Sequence, residues 1–306
     1  MRGLLVIVAI LLAGLPAAGA ERAWLGKARI YNNDFLGDGK DRWRTFSYSF
    51  SYLRGTQWNG SLPTGFGELV EYRLRTEIIA PDDLTNPAIG TDRRFVSALH
   101  LGAFSHMALG KADLVLGVDL VMTGPQTGIG ALQSWVHEHI GIGKTQVFGS
   151  QIGNAVYPTL NAEIGREFRL SPASERRIAL RPFLEAQAGV ETFVRFGADL
   201  TIGQAGLGDL LVRDTTTGQR SVALKGVRER GTTLIFGGDV AYVNSSKYLP
   251  AASGFSLVRP RVRLRAGLYR EWQNSSFFYG LTWLGKEFAN QQSGQMIGSV
   301  TFRRNF

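Results

Sequence analysis

Segments that alternate apolar and polar side chains with period two recur along nearly the whole chain, and no long helical pattern separates them. In 45–54, Phe46, Tyr48, Phe50 and Tyr52 share one face, and Ser47, Ser49 and Ser51 share the other. In 68–79, Val70, Tyr72, Leu74 and Ile78 oppose Glu71, Arg73, Arg75 and Glu77. The split is cleanest in 261–268, where Val262, Leu264, Ala266 and Leu268 stand against Arg261, Arg263 and Arg265. A soluble sandwich would turn such charged faces to water and bury the aliphatic ones. Without helices to cover any face, a closed barrel, apolar outside and polar inside, satisfies every backbone group and leaves no edge. The predicted fold is therefore all-β, a transmembrane antiparallel β-barrel.

Twelve such segments are present, near 28–34, 45–54, 68–80, 97–109, 112–123, 158–170, 177–189, 193–203, 231–244, 260–271, 275–287 and 295–306. An even number sets both termini on the periplasmic side. That parity turns 35–44, 81–96, 124–157, 190–192 and 245–259 outward, and leaves turns such as Ser171-Pro172-Ala173-Ser174 in the periplasm. The last strand ends in Phe306, with Phe302, Val300 and Met296 at alternating positions, similar to the terminal assembly signal of outer-membrane barrels. The stretch 204–230 is long for a periplasmic connection, and its DTTTGQ run reads as a small hairpin with no evident role.

The chain's start and its composition agree with export. Arg2, the apolar run 4–15 and Ala18-Gly19-Ala20 form a signal peptide over residues 1–20, cleaved before Glu21, with 21–306 as the barrel domain. No later run approaches the roughly 18 apolar residues that a spanning helix needs. The chain has 0 cysteines, so no disulfide framework supports it. Its 18 Phe, 9 Tyr and 6 Trp suit aromatic belts at the two membrane interfaces. A formal charge of +9 points to an anionic partner, either nucleic acid or a lipid surface. Export favours outer-membrane lipids over nucleic acid, and a monomer in the bacterial outer membrane is expected.

One stretch interrupts the strands. Residues 124–141, GPQTGIGALQSWVHEHIG, are Gly-rich and then briefly helical in pattern, predicting a short helix in an outward loop. Gln133 and His137 are four residues apart and share a helical face. Asn33-Asp34 end the first strand, and Thr45 opens the second across the first loop, so parity gathers all five at the outward rim. Carboxylate, amide and hydroxyl oxygens suit a hard cation such as calcium. A neutral imidazole beside them can deprotonate water. Together they suit ester hydrolysis, with the metal holding the developing oxyanion and His137 activating water.

Plainer readings stand beside these. His137 can be a solvated helix residue, and Asn33-Asp34 can simply punctuate a turn. Arg42, Arg44, Arg93, Arg94 and Lys144 in outward loops either clamp phosphates or complement a charged membrane surface. His100 and His106 fall on the lumen-facing register of the fourth strand, where His139 has no counterpart, since it lies on an exposed helix face. Lumen charges such as Arg263 and Glu71 pair across a narrow barrel. No GxSxG, HExxH or phosphate loop occurs, and the alternating serines read as lumen lining.

These residues resemble those of the outer-membrane lipid A 3′-O-deacylases. The carrying motifs are Asn33-Asp34, Asp41-Arg42 with Thr45, Asp92-Arg93, Gln151-Ile152-Gly153-Asn154, and Gly124-Pro125 through Gln133 to His137-Glu138-His139-Ile140-Gly141. The resemblance covers most of 28–170, and the 124–141 stretch is its most specific part. It implies a twelve-stranded barrel that removes the 3′-linked acyloxyacyl group from lipid A in a calcium-dependent, phospholipase A2-like scheme. Carried over by position, His137 is the base, Asn33, Asp34 and Thr45 surround the metal and oxyanion, and Gln133 contacts substrate or supports the site. The chain departs from the family at Arg44-Thr45-Phe46-Ser47, where many relatives have Tyr-Thr-Asn-Gly or Tyr-Thr-Ala-Gly. Asp83-Leu84-Thr85-Asn86 occupies the region of a family lysine, and Gly143 or Lys144 stands in place of an acidic residue after the His helix. The rival readings are a small pore or structural barrel without the chemistry, and a serine phospholipase of the outer membrane.

Overall fold

The computed structural model describes residues 21–85, 92–139, 141, 145–172, 177–204, 206–226 and 230–304. The expected signal peptide, Asn86, Ile140, Gly143, Lys144, Ala173, Ser174 and Phe306 lie outside these residues.

Twelve strands close into one antiparallel barrel. They are β1 (Ala23–Asn33), β2 (Trp43–Gly55), β3 (Val70–Ala80), β4 (Val96–Leu109), β5 (Ala112–Thr123), β6 (Ala155–Gly165), β7 (Ile178–Ala188), β8 (Glu191–Ile202), β9 (Gly231–Ser246), β10 (Pro260–Glu271), β11 (Ser275–Leu284) and β12 (Gln295–Arg304). Each pairs with the next, and β12 returns to β1 at a short seam through Tyr31, Asn32 and Asn33. No helix among the described residues is long and apolar enough to cross a membrane. The strands do the crossing, which keeps every ladder hydrogen bond inside the wall.

The boundaries differ from the sequence reading in instructive places. β1 begins five residues earlier than 28, because a bulge between Trp24 and Gly26 breaks the period-two pattern there. The segment read as 158–170 is β6 followed by a separate two-residue piece, Phe168–Arg169, that also pairs with β7. β11 ends at Leu284, before the expected 287, and so releases Glu287 into the outward loop.

Side chains sort by parity as the alternation requires. Ser47, Ser49 and Ser51 are buried in the lumen, while Tyr52, Leu74, Leu264 and Phe196 are exposed on the wall's outer face. His100 and His106 are buried on the lumen side. Most arginines of the lumen wall are paired: Arg263 Nε donates to Asp239 at 2.9 Å, Arg265 Nη2 to Asp199 at 2.6 Å, and Arg195 Nη1 to Glu185 at 2.8 Å. Glu71 takes Arg73 and His106 rather than Arg263, because those three side chains share the β3–β4 part of the wall. Charges this deep are tolerated only when matched in this way.

The long connection 204–230 supplies the rest of the filling. Its Leu210–Arg213 and Arg220–Leu224 pair as a hairpin that lies inside the barrel. Leu210, Val212, Ala223 and Leu224 pack on Ala28, Leu53 and Leu69 of the surrounding wall. At the tip, Thr216 donates to Glu77 at 3.1 Å and Gln219 Nε2 donates to Thr282 at 3.2 Å, so the hairpin spans from β3 to β11. Gly218 sits at φ +73° against the Arg263 and Arg265 guanidiniums, where a Cβ would collide. The sequence signal for a hairpin is correct; that it fills the lumen is invisible until the wall is built.

At the outward rim, two loops fold over the outside of the wall. The third outward loop carries α1 (Ile129–His139). Outward-pointing Phe46 and Ile78 are covered there by Ile129, Val147 and Phe148. The first loop, 34–42, lies against β12: a Cβ on Gly298 would strike Leu36, and Tyr279 Oη donates to the Leu36 carbonyl at 2.8 Å.

Candidate active site at the outward rim

Backbone geometry sets the site before any side chain does. In the β2–β3 ladder Trp43 faces Ala80 and Phe46 faces Ile78, so Arg44 and Thr45 together oppose the single Ile79. This is a bulge. Trp43 beside it has φ +50°, the one non-glycine positive φ among the described residues. Strain of this kind persists only where the surroundings enforce it. Here Trp43 is fully buried against Leu249 and Phe288, and its Nε1 donates to Asp92 at 2.8 Å.

The bulge separates two functions on adjacent residues. Arg44 enters a buried ionic cluster, donating to Glu77 at 2.9 Å, Glu191 at 2.9 Å and Glu287 at 2.5 Å. Arg93 joins it through Glu287 at 2.8 Å, and Arg261 through Glu191 at 2.8 Å. Burial alone would raise the Glu287 carboxyl, but the guanidiniums of Arg44, Arg261 and Arg93 outweigh it and hold the group well below the usual range. Arg44 and Arg93 are thus buried structural cations and not a phosphate clamp. Arg42 is also buried, on Asp82 at 3.0 Å, while Arg94 is exposed. Lys144 lies outside the described residues.

Thr45, next in the chain, turns to the first loop. Its Oγ1 stands 2.8 Å from Asp34 Oδ1 and 2.5 Å from Asp41 Oδ1. Asp41 Oδ2 in turn lies 3.3 Å from His137 Nε2 on α1. Asp34 heads a tight turn, its carbonyl accepting the N–H groups of Gly37, Asp38 and Gly39. Its Oδ2 accepts the Arg42 N–H at 2.8 Å and Gln295 Nε2 at 3.3 Å. Burial pushes the Asp34 carboxyl up to about 7; the Arg42 N–H and Thr45 hydroxyl oppose that rise, and Asp41 and Asp38 add to it.

One hydroxyl carries one hydrogen. Thr45 cannot donate to both carboxylates at once, so with Asp34 and Asp41 ionised one of the two short contacts is repulsive. The arrangement asks for one more positive charge, either a proton on Asp34 or a cation. Among the described residues no three His, Cys, Asp or Glu side chains stand together at metal-ligand spacing. A cation here would draw on hydroxyl and amide oxygens as well as the two carboxylates, which is the chemistry of a hard ion.

On α1, Gly130, Gln133 and Ser134 are buried toward the wall on the same side as His137. Gln133 Oε1 has no hydrogen-bond partner, although the residue is only 9% exposed. An unsatisfied buried amide at the mouth of a site is a position for a ligand's donor. His139 is exposed and bonds back to the Trp135 carbonyl at 2.7 Å.

The structure therefore brings Asp34, Thr45 and His137 together and sets Gln133 on the same helix face. Asn33 is placed differently: its Oδ1 accepts the exposed Phe35 N–H at 2.8 Å, and lumen-facing Asn32 is the buried member of the pair. Two further residues belong to the site. Asp41 was legible only as part of a motif, since spacing through an irregular loop says nothing of contact. Gln295, which bridges Asp34 and the Arg42 carbonyl, is 261 positions from Asp34 in sequence and carried no signal at all.

A family model described as outer membrane protein LpxR matches residues 4–306. Among solved structures, the chain is similar to LpxR from Salmonella typhimurium, with TM-score 0.76, 17% identity, and coverage of 92% of this chain and 100% of that one. Weaker likenesses include the beta domain of the Bordetella autotransporter BrkA, with TM-score 0.40, 11% identity and coverage of 93% and 100%. The KdgM porin follows with TM-score 0.39, 6% identity and coverage of 92% and 98%. No curated protein sequence matches.

Proposed function

Because the chain belongs to the family of outer membrane protein LpxR, we propose that it is an outer-membrane ester hydrolase that removes the 3′-linked acyloxyacyl chain from lipid A of lipopolysaccharide. The observation that carries this reading is the contact of His137 Nε2 with Asp41 beside the shared Thr45–Asp34 hydrogen bond. An Nε2–H directed at Asp41 would leave Nδ1 as the basic nitrogen and hold the ring's orientation. Nδ1 takes a proton from water as the water oxygen bonds to the acyl carbon, and that proton passes to the sugar oxygen as the ester C–O bond breaks.

The missing positive charge at Asp34 and Asp41 fits the calcium ion that the family resemblance implies. Asp34 and Asp41 would hold it, with the Thr45 hydroxyl. Asn33, next in the chain, offers an amide oxygen with a second lone pair. A bound calcium would supply positive charge where the ester oxygen becomes anionic. Thr45 keeps the two carboxylates in register, and the unpartnered Gln133 amide meets the substrate's polar linkage. Every group comes from one chain, so a monomer suffices. Residues 1–20 act as the export signal in this reading.

The test is mass spectrometry of lipid A from a bacterium without such an enzyme, expressing the chain or His137→Ala. The expected result is loss of the 3′-acyloxyacyl mass with the unaltered chain only, abolished by chelating calcium. An unchanged profile, with heat-modifiable folded barrel recovered from the outer membrane, would leave a structural barrel or another lipid substrate.

A further inference from the structure

The position of α1 relative to the wall has a consequence separate from catalysis. Phe46 and Ile78 share the outward parity of Tyr48, Phe50 and Leu74, which face lipid further down β2 and β3. Yet Ile78 is buried, in a cluster with Leu84, Phe95 and Val147 against which Ile129 at the start of α1 and Phe148 pack. The helix is therefore outboard of the barrel, on the membrane side of the wall and not above the lumen.

An outboard helix has a near face and a far face. At about 100° per residue, Gly130, Gln133, Ser134 and His137 form the near face, and Leu132 and Trp135 point the opposite way. Leu132 is 60% exposed and Trp135 57%. The helix sequence, IGALQSWVHEH, contains no lysine or arginine that would hold this face in water. The first loop repeats the arrangement next door, where Phe35 and Leu36 are exposed on the outside of β12 beneath the Tyr279 bond. Both patches continue the barrel's own apolar belt upward to the rim, at the level where Trp and Tyr favour the membrane interface.

We propose that the far face of α1, through Leu132 and Trp135, is immersed in the lipid of the outer leaflet, making the rim helix a lipid-contacting lip and not an aqueous loop. The occupant is the boundary between headgroups and acyl chains, which accepts an amphipathic helix lying flat. The near face with His137 then opens sideways at membrane level. The inference does not depend on the hydrolase reading, and its test needs no turnover.

The chain has no cysteine, so a single introduced one is a unique attachment point. Leu132→Cys and Trp135→Cys would each be nitroxide-labelled in the full-length barrel refolded into phosphatidylethanolamine–phosphatidylglycerol vesicles, with folding checked by heat-modifiable gel mobility. Leu264→Cys on the lipid-facing wall and Lys40→Cys in the exposed first loop serve as references. The expected result is collision with oxygen over a water-soluble nickel chelate at both helix positions, shifted toward the Leu264→Cys value. Values matching Lys40→Cys would overturn the proposal in favour of a solvated helix. Shielding from both reagents would overturn it in favour of a protein contact. Two independent positions keep the test decisive if one variant misfolds.

Discussion

The lumen and the rim treat charge in opposite ways. Inside, Arg263, Arg265 and Arg195 each meet a carboxylate, and the hairpin tip adds hydrogen bonds to Glu77 and Thr282 of the wall. At the rim, Asp34 is as deeply buried but is met only by an N–H, an amide and a shared hydroxyl, with Asp41 and Asp38 close enough to add their charge. Gln133 on α1 keeps a buried oxygen without a partner. In the lumen these charges are matched from within the chain, whereas at the rim the Asp34 carboxylate faces no cation among the described residues. Burial alone does not mark a site; burial with the sum left incomplete does.

Each prediction probes one side of that contrast. The largest effect is expected from His137→Ala, which removes the base and should lower turnover by about 10²–10⁴-fold with an intact barrel. Steady-state kinetics on purified lipid A would measure it, and a loss below tenfold would demote His137 to a bystander. In the lumen, Asp239→Ala removes the carboxylate that Arg263, Arg265 and Arg195 share, leaving Arg265 on Asp199 and Arg195 on Glu185, and should cost roughly 3–5 kcal/mol of stability while leaving the rim chemistry nearly unchanged. Urea titration in lipid vesicles reads this directly; coupled losses of activity and stability would mean that the two regions are not independent. Asp41→Asn keeps the shape but weakens both the anchor on His137 and the proposed calcium site, so turnover at saturating calcium should fall about 10–100-fold, with the pH–rate profile displaced and more calcium needed for half-maximal rate. An unaltered pH profile would assign Asp41 a purely structural part.

The last effect is a pH trend. The folded Asp34 carboxyl titrates near 7, above its ordinary value of 3.8, so the folded state holds a proton that the unfolded chain releases. In chelator, stability should therefore decline as pH rises from about 4 to 7 and then level off, and Asp34→Asn should flatten the slope. Thermal melts across that range are the check, and a rise in stability over the same interval would contradict the raised value.

Legibility followed periodicity. The strands, their parity, the outward loops and the rim position of Asp34, Thr45 and His137 were readable because a two-residue repeat sorts every side chain to one face or the other. Where the repeat is broken, the reading lost precision. The Trp24–Gly26 bulge hid the start of β1, and the Arg44–Thr45 bulge made Arg44 look like a surface cation when it lies at the centre of a carboxylate cluster. Asn33 was grouped with Asp34 by adjacency, but Asn33 closes the strand while Asp34 heads the turn, so the side chain of Asn33 is held by the Phe35 N–H and that of Asp34 turns inward to Thr45. Asp41 and Gln295 needed the closed seam and the folded loop, which local sequence does not encode.

The lumen hairpin also bears on the cell that holds the barrel. An outer membrane is a permeability barrier, and any twelve-stranded cylinder set into it is a potential leak. The packing of Leu210, Val212, Ala223 and Leu224 against the wall, capped by Thr216 and Gln219 reaching β3 and β11, stoppers the bore. A chain shortened by that one connection would keep its wall and its rim residues, yet would let ions and small toxic solutes across. The hairpin's contribution would then be read in antibiotic sensitivity and not in turnover.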